Sequence, residues 1–477
     1  MRRSHRSPRT VAALALSVTA SLMVSAAPAG AVTARFTPGA PGVGDPYFPD
    51  MGNGGYDAAH YDIALTYDPA SKGISAVTTI KARATQHLSR FNLDFQGPLK
   101  ISALTVDGKK AAYKRTGAQE LEITPAKGLR KGKGFTVSVA YSGVPQGIDD
   151  PALGRSGWIP TDDGAVMLNQ PIGAATVYPV NDAPTDKATY AFTLTAPKDL
   201  TTIANGDPAG RWTKGATTTT RWVMNKPMAS ELSMIAIGKY DVINGRTARG
   251  VPNITATDTR LGISAQLAKD FHHQTADFQE WLAGHYGRYP FSSTGGVVVK
   301  AGVGYALETQ GRPVYDLGRR PGTIPRPDLT VHELAHQWFG DSVTPKRWAD
   351  IWLNEGFATY SEWLYFEKYT GKTAQQSFDE VYATAADDDL WKPVTADPGR
   401  DNIFHPTVYD RGAMTLHMLR KTIGDQAFFK LVKLWPTVNK DGNVSTADFI
   451  AFAEKVSGKQ LDDLFKKWVY TSGKPTL

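Results

Sequence analysis

Residues 331 to 340 read VHELAHQWFG and place two of the chain's ten histidines four positions apart, with a glutamate directly after the first. On a helix, positions i and i+4 lie one above the other on the same face. His332 and His336 therefore aim two imidazoles at one point, the spacing at which a helix holds zinc. Local rules favour the helix: Pro325 and Pro327 end what precedes, Asp328 is a good N-cap, Leu329 to Phe339 contain no breaker, and Gly340 suits a C-terminal cap. A buried amphipathic helix with two core histidines is the plainer alternative. A chance HExxH in a chain of this length has odds on the order of 1%, which favours the metal reading.

Two histidines leave a zinc ion short of the three protein ligands usual at a catalytic site. The chain has no cysteine, so thiolates and disulfides are excluded and the third ligand must be His, Asp or Glu. The stretch WLNEGFATY supplies Glu355. A second helix from near Asn354 to about Gly371, packed on the first, brings its first turn to the histidines. Glu362, seven residues on and on the same face, reads equally as a hydrogen-bond partner for a ligand histidine or as a solvated carboxylate.

The run HELAHQWFGDSVTPKRWADIWLNEGFATY, residues 332 to 360, resembles the zinc core of the aminopeptidase N family of gluzincins: HExxH, eighteen residues, then Glu in a WLNEGFA block. The resemblance implies one zinc per chain held by His332, His336 and Glu355, with Glu333 as general base. VYDRGAM resembles the block whose tyrosine stabilises the oxyanion, which points to Tyr409. NQPIGAATVYPVNDAPTDKATYAFTL resembles the block whose glutamine helps bind the substrate amine, which falls on Gln170. The family's Gly-x-Met-Glu-Asn anchor for that amine stands here as YALET, keeping only Glu308, and Ala175 replaces an arginine that often follows the glutamine block. The implied activity is hydrolysis of the N-terminal bond of peptides with a free N-terminus. A zinc endopeptidase of the same fold and a non-catalytic peptide-binding relative are the alternatives. The resemblance spans the family's first two domains, without its large helical domain, which implies a more open site.

The elements that must position these residues fall into two halves. From about residue 46 to 245, segments such as YDIALTYD, FTVSVAYSG and ATYAFTLTAP alternate apolar with polar residues between Gly-rich turns, which predicts an antiparallel β domain of sandwich or saddle form. From 246 to 477 helical patterns dominate, opened by SAQLAKDFHHQTADFQEWLAGHYG, with strands at GGVVV and around Glu308. The expected fold class is α+β, with the second half a mainly helical, thermolysin-like catalytic domain.

The N-terminus predicts export. Four arginines precede an apolar run from Val11 to Val24, and Ala29 and Ala31 form a small-x-small cleavage site before Val32. Residues 1–31 read as a signal peptide and 32–45 as a loose leader. Loss of those four arginines lowers the net charge from +7 to +3, too little to argue for a nucleic-acid partner. No later segment is long and apolar enough to span a membrane. The expected product is a secreted protein, by default a monomer.

Overall fold

Alternation over YDAAHYDIALTYD builds the strand Tyr56–Asp68, whose residues are buried and exposed in turn. The computed structural model describes residues 35–477; the signal peptide expected at 1–31 and the start of the leader lie outside them. Tyr56–Asp68 sits inside an eight-stranded sheet ordered Asp207–Lys214, Thr217–Met228, Ala188–Pro197, Tyr56–Asp68, Gly73–Ala84, Gly134–Gly143, Lys100–Val106, Lys109–Lys110. A four-stranded sheet and a five-stranded sheet complete the β-rich N-terminal part. Tyr61, Phe91, Val139, Trp158, Phe192 and Ile235 belong to its continuous core.

Two features differ from the sequence expectation. Ala188–Pro197 runs parallel to Tyr56–Asp68, pairing Thr189 with His60, so the sheet is mixed. Alternation reports which face a residue occupies and carries no strand direction; the long chain between the two strands makes the parallel crossover possible. The leader is also tied down from residue 37. Thr37–Pro38 pairs with Leu88–Asp94, and the Asp45 carboxylate accepts the amides of Tyr47, Phe48 and Trp348. Gly and Pro in this stretch supply turns rather than slack.

The hairpin Tyr240–Arg246 and Pro252–Asp258 spans the expected boundary near 245 and joins a second five-stranded sheet with Thr294–Val299, Val314–Asp316 and the edge strand Ala306–Leu307. The remainder is mainly helical: α1 (Ala265–Tyr286), α2 (Pro327–Ala335), α3 (Trp352–Tyr369), α4 (Ala374–Tyr382), α5 (Gly412–Ile423), α6 (Asp425–Val438), α7 (Thr446–Ser457) and α8 (Asp462–Val469). Ser264 caps α1 by accepting the Leu267 amide. Trp338, Trp352, Phe357, Leu416 and Phe449 fill the helical core. Lys187 links the two halves: its ammonium donates to the carbonyls of Asp341, Ser342 and Gly442 at 3.0, 3.1 and 3.2 Å. Among the described residues, no helix is long and apolar enough to cross a membrane.

Helices α3 and α5 cross at two glycines. A Cβ on Gly356 would lie 2.9 Å from the Gly412 backbone, and one on Gly412 would lie 2.9 Å from Gly356 Cα. Only hydrogen fits at either position. Gly284, exposed in α1, has nothing within 4 Å of the point where a Cβ would stand. The same substitution should therefore have opposite signs: Gly356→Ala is expected to cost about 1–3 kcal/mol by overpacking, and Gly284→Ala to gain roughly 0.5–1 kcal/mol from helix propensity. Urea denaturation midpoints of the two variants check this.

Candidate metal centre and active site

Helix α2 begins with Pro327 in its first turn and Arg326 at the N-cap, which makes no side-chain capping bond. Asp328, expected as the cap, lies one residue inside and pairs with Arg326 at 2.8 Å. Proline's fixed φ and missing N–H suit it to that first position, which moves the start forward. The helix also ends early, at Ala335. Beyond it the chain tightens into i to i+3 turns, Gln337 N to Leu334 O and Trp338 N to Ala335 O, and Gly340 stands outside as a turn residue at φ +128°. This tightening brings the Phe339 carbonyl round to His336 Nδ1, 3.0 Å away.

That contact decides what His336 can do. A carbonyl only accepts, so Nδ1 carries the proton and Nε2 is left to face Glu355. His332 is held in the same way: its Nδ1 lies 2.6 Å from Glu362 Oε1, so Glu362 is a hydrogen-bond partner and not merely a solvated carboxylate. Both Nε2 atoms then lie 3.2 Å from one oxygen, Glu355 Oε2, in the first turn of α3. Three ligands at about 2.05 Å from a tetrahedral zinc stand about 3.3 Å apart, so the donor set fits that ion. Glu308, Glu333 and His336 also lie within 4.8 Å of one another. That second group is less suited to an ion, because one oxygen of Glu308 already accepts from Gln170.

Without a cation, protons balance the charge. Burial alone would lower both histidines, but Glu355 and Glu362 hold His332 well above its ordinary range, and Glu355 and Glu308 hold His336 at about 9. Burial would raise Glu355, yet the two imidazoles hold it at about 2. Burial pushes Glu333 up to about 8 against the pull of the same histidines.

These residues line one cavity of about 480 Å³, together with Gln170, Glu308, Tyr409, Leu153, Tyr305 and Phe404. All seven site residues implied by the family resemblance face it, as does Glu362. Gln170 Nε2 donates to Glu308 Oε1 at 2.7 Å, joining the β-rich half to the edge strand beside the histidines. Tyr409 occupies a π-helical turn, Thr407–Arg411, ahead of α5, and its ring stacks on His332 with centroids 6.0 Å apart. Burial, then the charges of Glu355, Glu308 and Glu333, keep its phenol well above the usual range, so it remains a donor. Arg411 fixes this turn by donating to the carbonyls of Trp468, Lys467 and Thr471. Sequence reading missed Gln337, which donates to the Glu308 carbonyl and accepts the Gly311 amide, and so sets the position of the Glu308 strand. Its place one residue after His336 was the available signal.

The model of the peptidase M1 N-terminal domain matches residues 57–232, and that of the peptidase family M1 domain matches 326–468, the segment that carries this centre. The chain belongs to peptidase family M1. An M1 zinc metallopeptidase mutant from Deinococcus radiodurans, crystallised with a Tyr-Ser-Ala substrate, is 29% identical and superposes with a TM-score of 0.82 over 91% of this chain and 99% of that one. Mitochondrial aminopeptidase 2 of Saccharomyces cerevisiae is 28% identical over 66% of this chain and 34% of its own length. Human glutamyl aminopeptidase is 26% identical over 77% of this chain and 40% of its own. This M1 chain thus spans about a third to two fifths of the length of those curated relatives.

A divalent ion replacing the protons on His332 and His336 must expel them. Because both histidines are raised, that expulsion costs most at low pH; zinc affinity of metal-free protein should rise with pH through neutrality and on to at least about 9, the His336 value, with His332 also held well above its ordinary range. Titration calorimetry in buffers of different ionisation enthalpy reads the released protons directly. Elemental analysis should give close to one zinc per chain, and His336→Ala should lose it.

Proposed function

We propose that this M1 family member is an exported zinc aminopeptidase that removes the N-terminal residue of peptides with a free amine. The observation that carries the reading is one cavity holding both the His332, His336 and Glu355 donor set and, beside it, the Glu308–Gln170 pair. A catalytic centre and an anchor for positive charge then face the same peptide. The arginine-rich, alanine-rich start of the chain supports export.

Glu308 receives the substrate ammonium. One of its oxygens is already held by Gln170, and the other is left for a charge-assisted hydrogen bond in a desolvated site. The first peptide bond then falls at the donor set, so the anchor sets where the cut is made. His332, His336 and Glu355 would hold a zinc ion, whose positive charge would acidify water and polarise the carbonyl. Glu333, which faces the donor set without belonging to it, takes the proton of the attacking water and returns it to the leaving nitrogen. Tyr409 donates its phenolic proton in a hydrogen bond to the developing oxyanion. An endopeptidase is the second reading, favoured by Tyr305, Leu307 and Thr309, which replace the Gly, Met and Asn of the anchor block around the retained Glu308. A non-catalytic binder would have no use for Glu333 and Tyr409 facing the donor set.

Glu333→Gln should keep its zinc and lose turnover, since an amide cannot accept the proton. Tyr409→Phe should retain zinc with a milder loss, about 3 kcal/mol in kcat or roughly a hundredfold. Wild-type rates from either variant would remove its assigned role. Glu308→Ala should raise KM and lower kcat together, and should lose most of the preference for free over N-acetylated peptides, with zinc content unchanged. Equal cleavage of both peptide classes by the wild type would move the assignment to the endopeptidase.

A further inference from the structure

A second cavity, of about 400 Å³, borders the catalytic one: the two share Tyr305, Ala306 and Leu329, and Arg319, Arg320 and Arg326 line the second. All three arginines are exposed. Arg326 pairs with Asp328 at 2.8 Å, whereas among the described residues neither Arg319 nor Arg320 makes an ion pair. The carboxylate in this groove, Asp316, is taken up by backbone: it accepts the amides of Ala301, Gly304 and Gly318 at 3.0, 2.8 and 3.0 Å. It shapes the loop that carries the arginines, and the groove retains positive charge.

Direction follows from the strand the two cavities share. Glu308, the proposed amine anchor, stands at one end of the segment 304–308, and Arg319 packs over Gly304 at the other, with its Cζ 3.7 Å from where a Cβ would stand. Four residues cover at most about 13 Å, and less here, because the strand is Ala306–Leu307 and the chain turns at Gly304, φ +84°. A peptide anchored by its amine at Glu308 and lying along this edge brings its third or fourth residue to the arginines. Resting on the aminopeptidase reading above, we propose that Arg319 and Arg320 select substrates carrying a carboxylate at that distance, either the C-terminus of a tri- or tetrapeptide or an acidic side chain in a longer chain. Guanidinium groups suit the task because their planar fork matches a carboxylate with two parallel hydrogen bonds.

The test compares tetrapeptides of one sequence with a free or an amidated C-terminus, and amidated hexapeptides with Glu or Gln at the fourth position. Release of the first residue should be roughly threefold to tenfold more efficient in kcat/KM for the carboxylate member of each pair, an advantage that shrinks with added salt. Arg319→Gln combined with Arg320→Gln should bring both ratios to about one. A ratio of one in the wild type, or a ratio the double variant leaves intact, overturns the proposal. A response confined to one pair identifies which carboxylate is read. Failure of the aminopeptidase reading is separate: it would show as no hydrolysis of simple aminoacyl reporters. In that event the affinities of the same peptides for zinc-loaded Glu333→Gln protein, read by fluorescence anisotropy, give the ratios without turnover.

Discussion

The two hydrogen bonds on the outer nitrogens of His332 and His336 are the constraint on which the centre depends. Neither bond involves a metal, yet together they choose the tautomer of each ring and set its rotation, so that both inner nitrogens meet one oxygen of Glu355. An imidazole free to turn would lose rotational entropy on binding an ion; these rings have lost it on folding. The supports come from different places. Glu362 is a side chain on α3, and Phe339 offers main chain past the end of α2. Changes to side chains alone can remove the first, whereas the second lasts as long as the turn beyond Ala335 does.

That turn and the helices around it are held by packing that has no chemistry of its own. Phe339 stacks on Phe357 with ring centroids 4.1 Å apart, which pins the tightened turn to α3 one helical step from Glu355. The glycine crossing of α3 on α5 sets the separation between Glu355, next to Gly356, and the turn that presents Tyr409. Lys187 adds a constraint from the opposite side. Burial lowers its ammonium to about 8, and it persists as a donor to the carbonyls of Asp341 and Ser342 just beyond α2 and of Gly442 ahead of α7.

The histidine pair was legible in the sequence because its spacing is a local property, whereas Glu333, Tyr409, Gln170 and Glu308 were read from the family resemblance. His332 and His336 depend only on helical period, and Glu355 and Glu362 share a face for the same reason. The helical pattern read in SAQLAKDFHHQTADFQEWLAGHYG also coincides with α1. What the sequence hid was set by distant contacts. The early end of α2 answers to Phe357, the π-helical turn at Tyr409 to carbonyls near the C-terminus, and the parallel pairing of Tyr56–Asp68 to a strand more than a hundred residues away. Arg319 and Arg320 carried no motif at all. They became visible only when the fold set their loop against the segment that leads to Glu308.

The bond between Gln170 and Glu308 joins residues 138 positions apart, one from each half of the molecule. In the proposed function the bond-breaking groups all come from the helical half, while the measure of where to cut is assembled jointly. Any movement that separates the halves by an ångström or two would therefore blur the reading frame before it impaired the hydrolytic machinery. In this architecture accuracy is the more fragile property, and the sheets that take no part in the reaction serve as its gauge block.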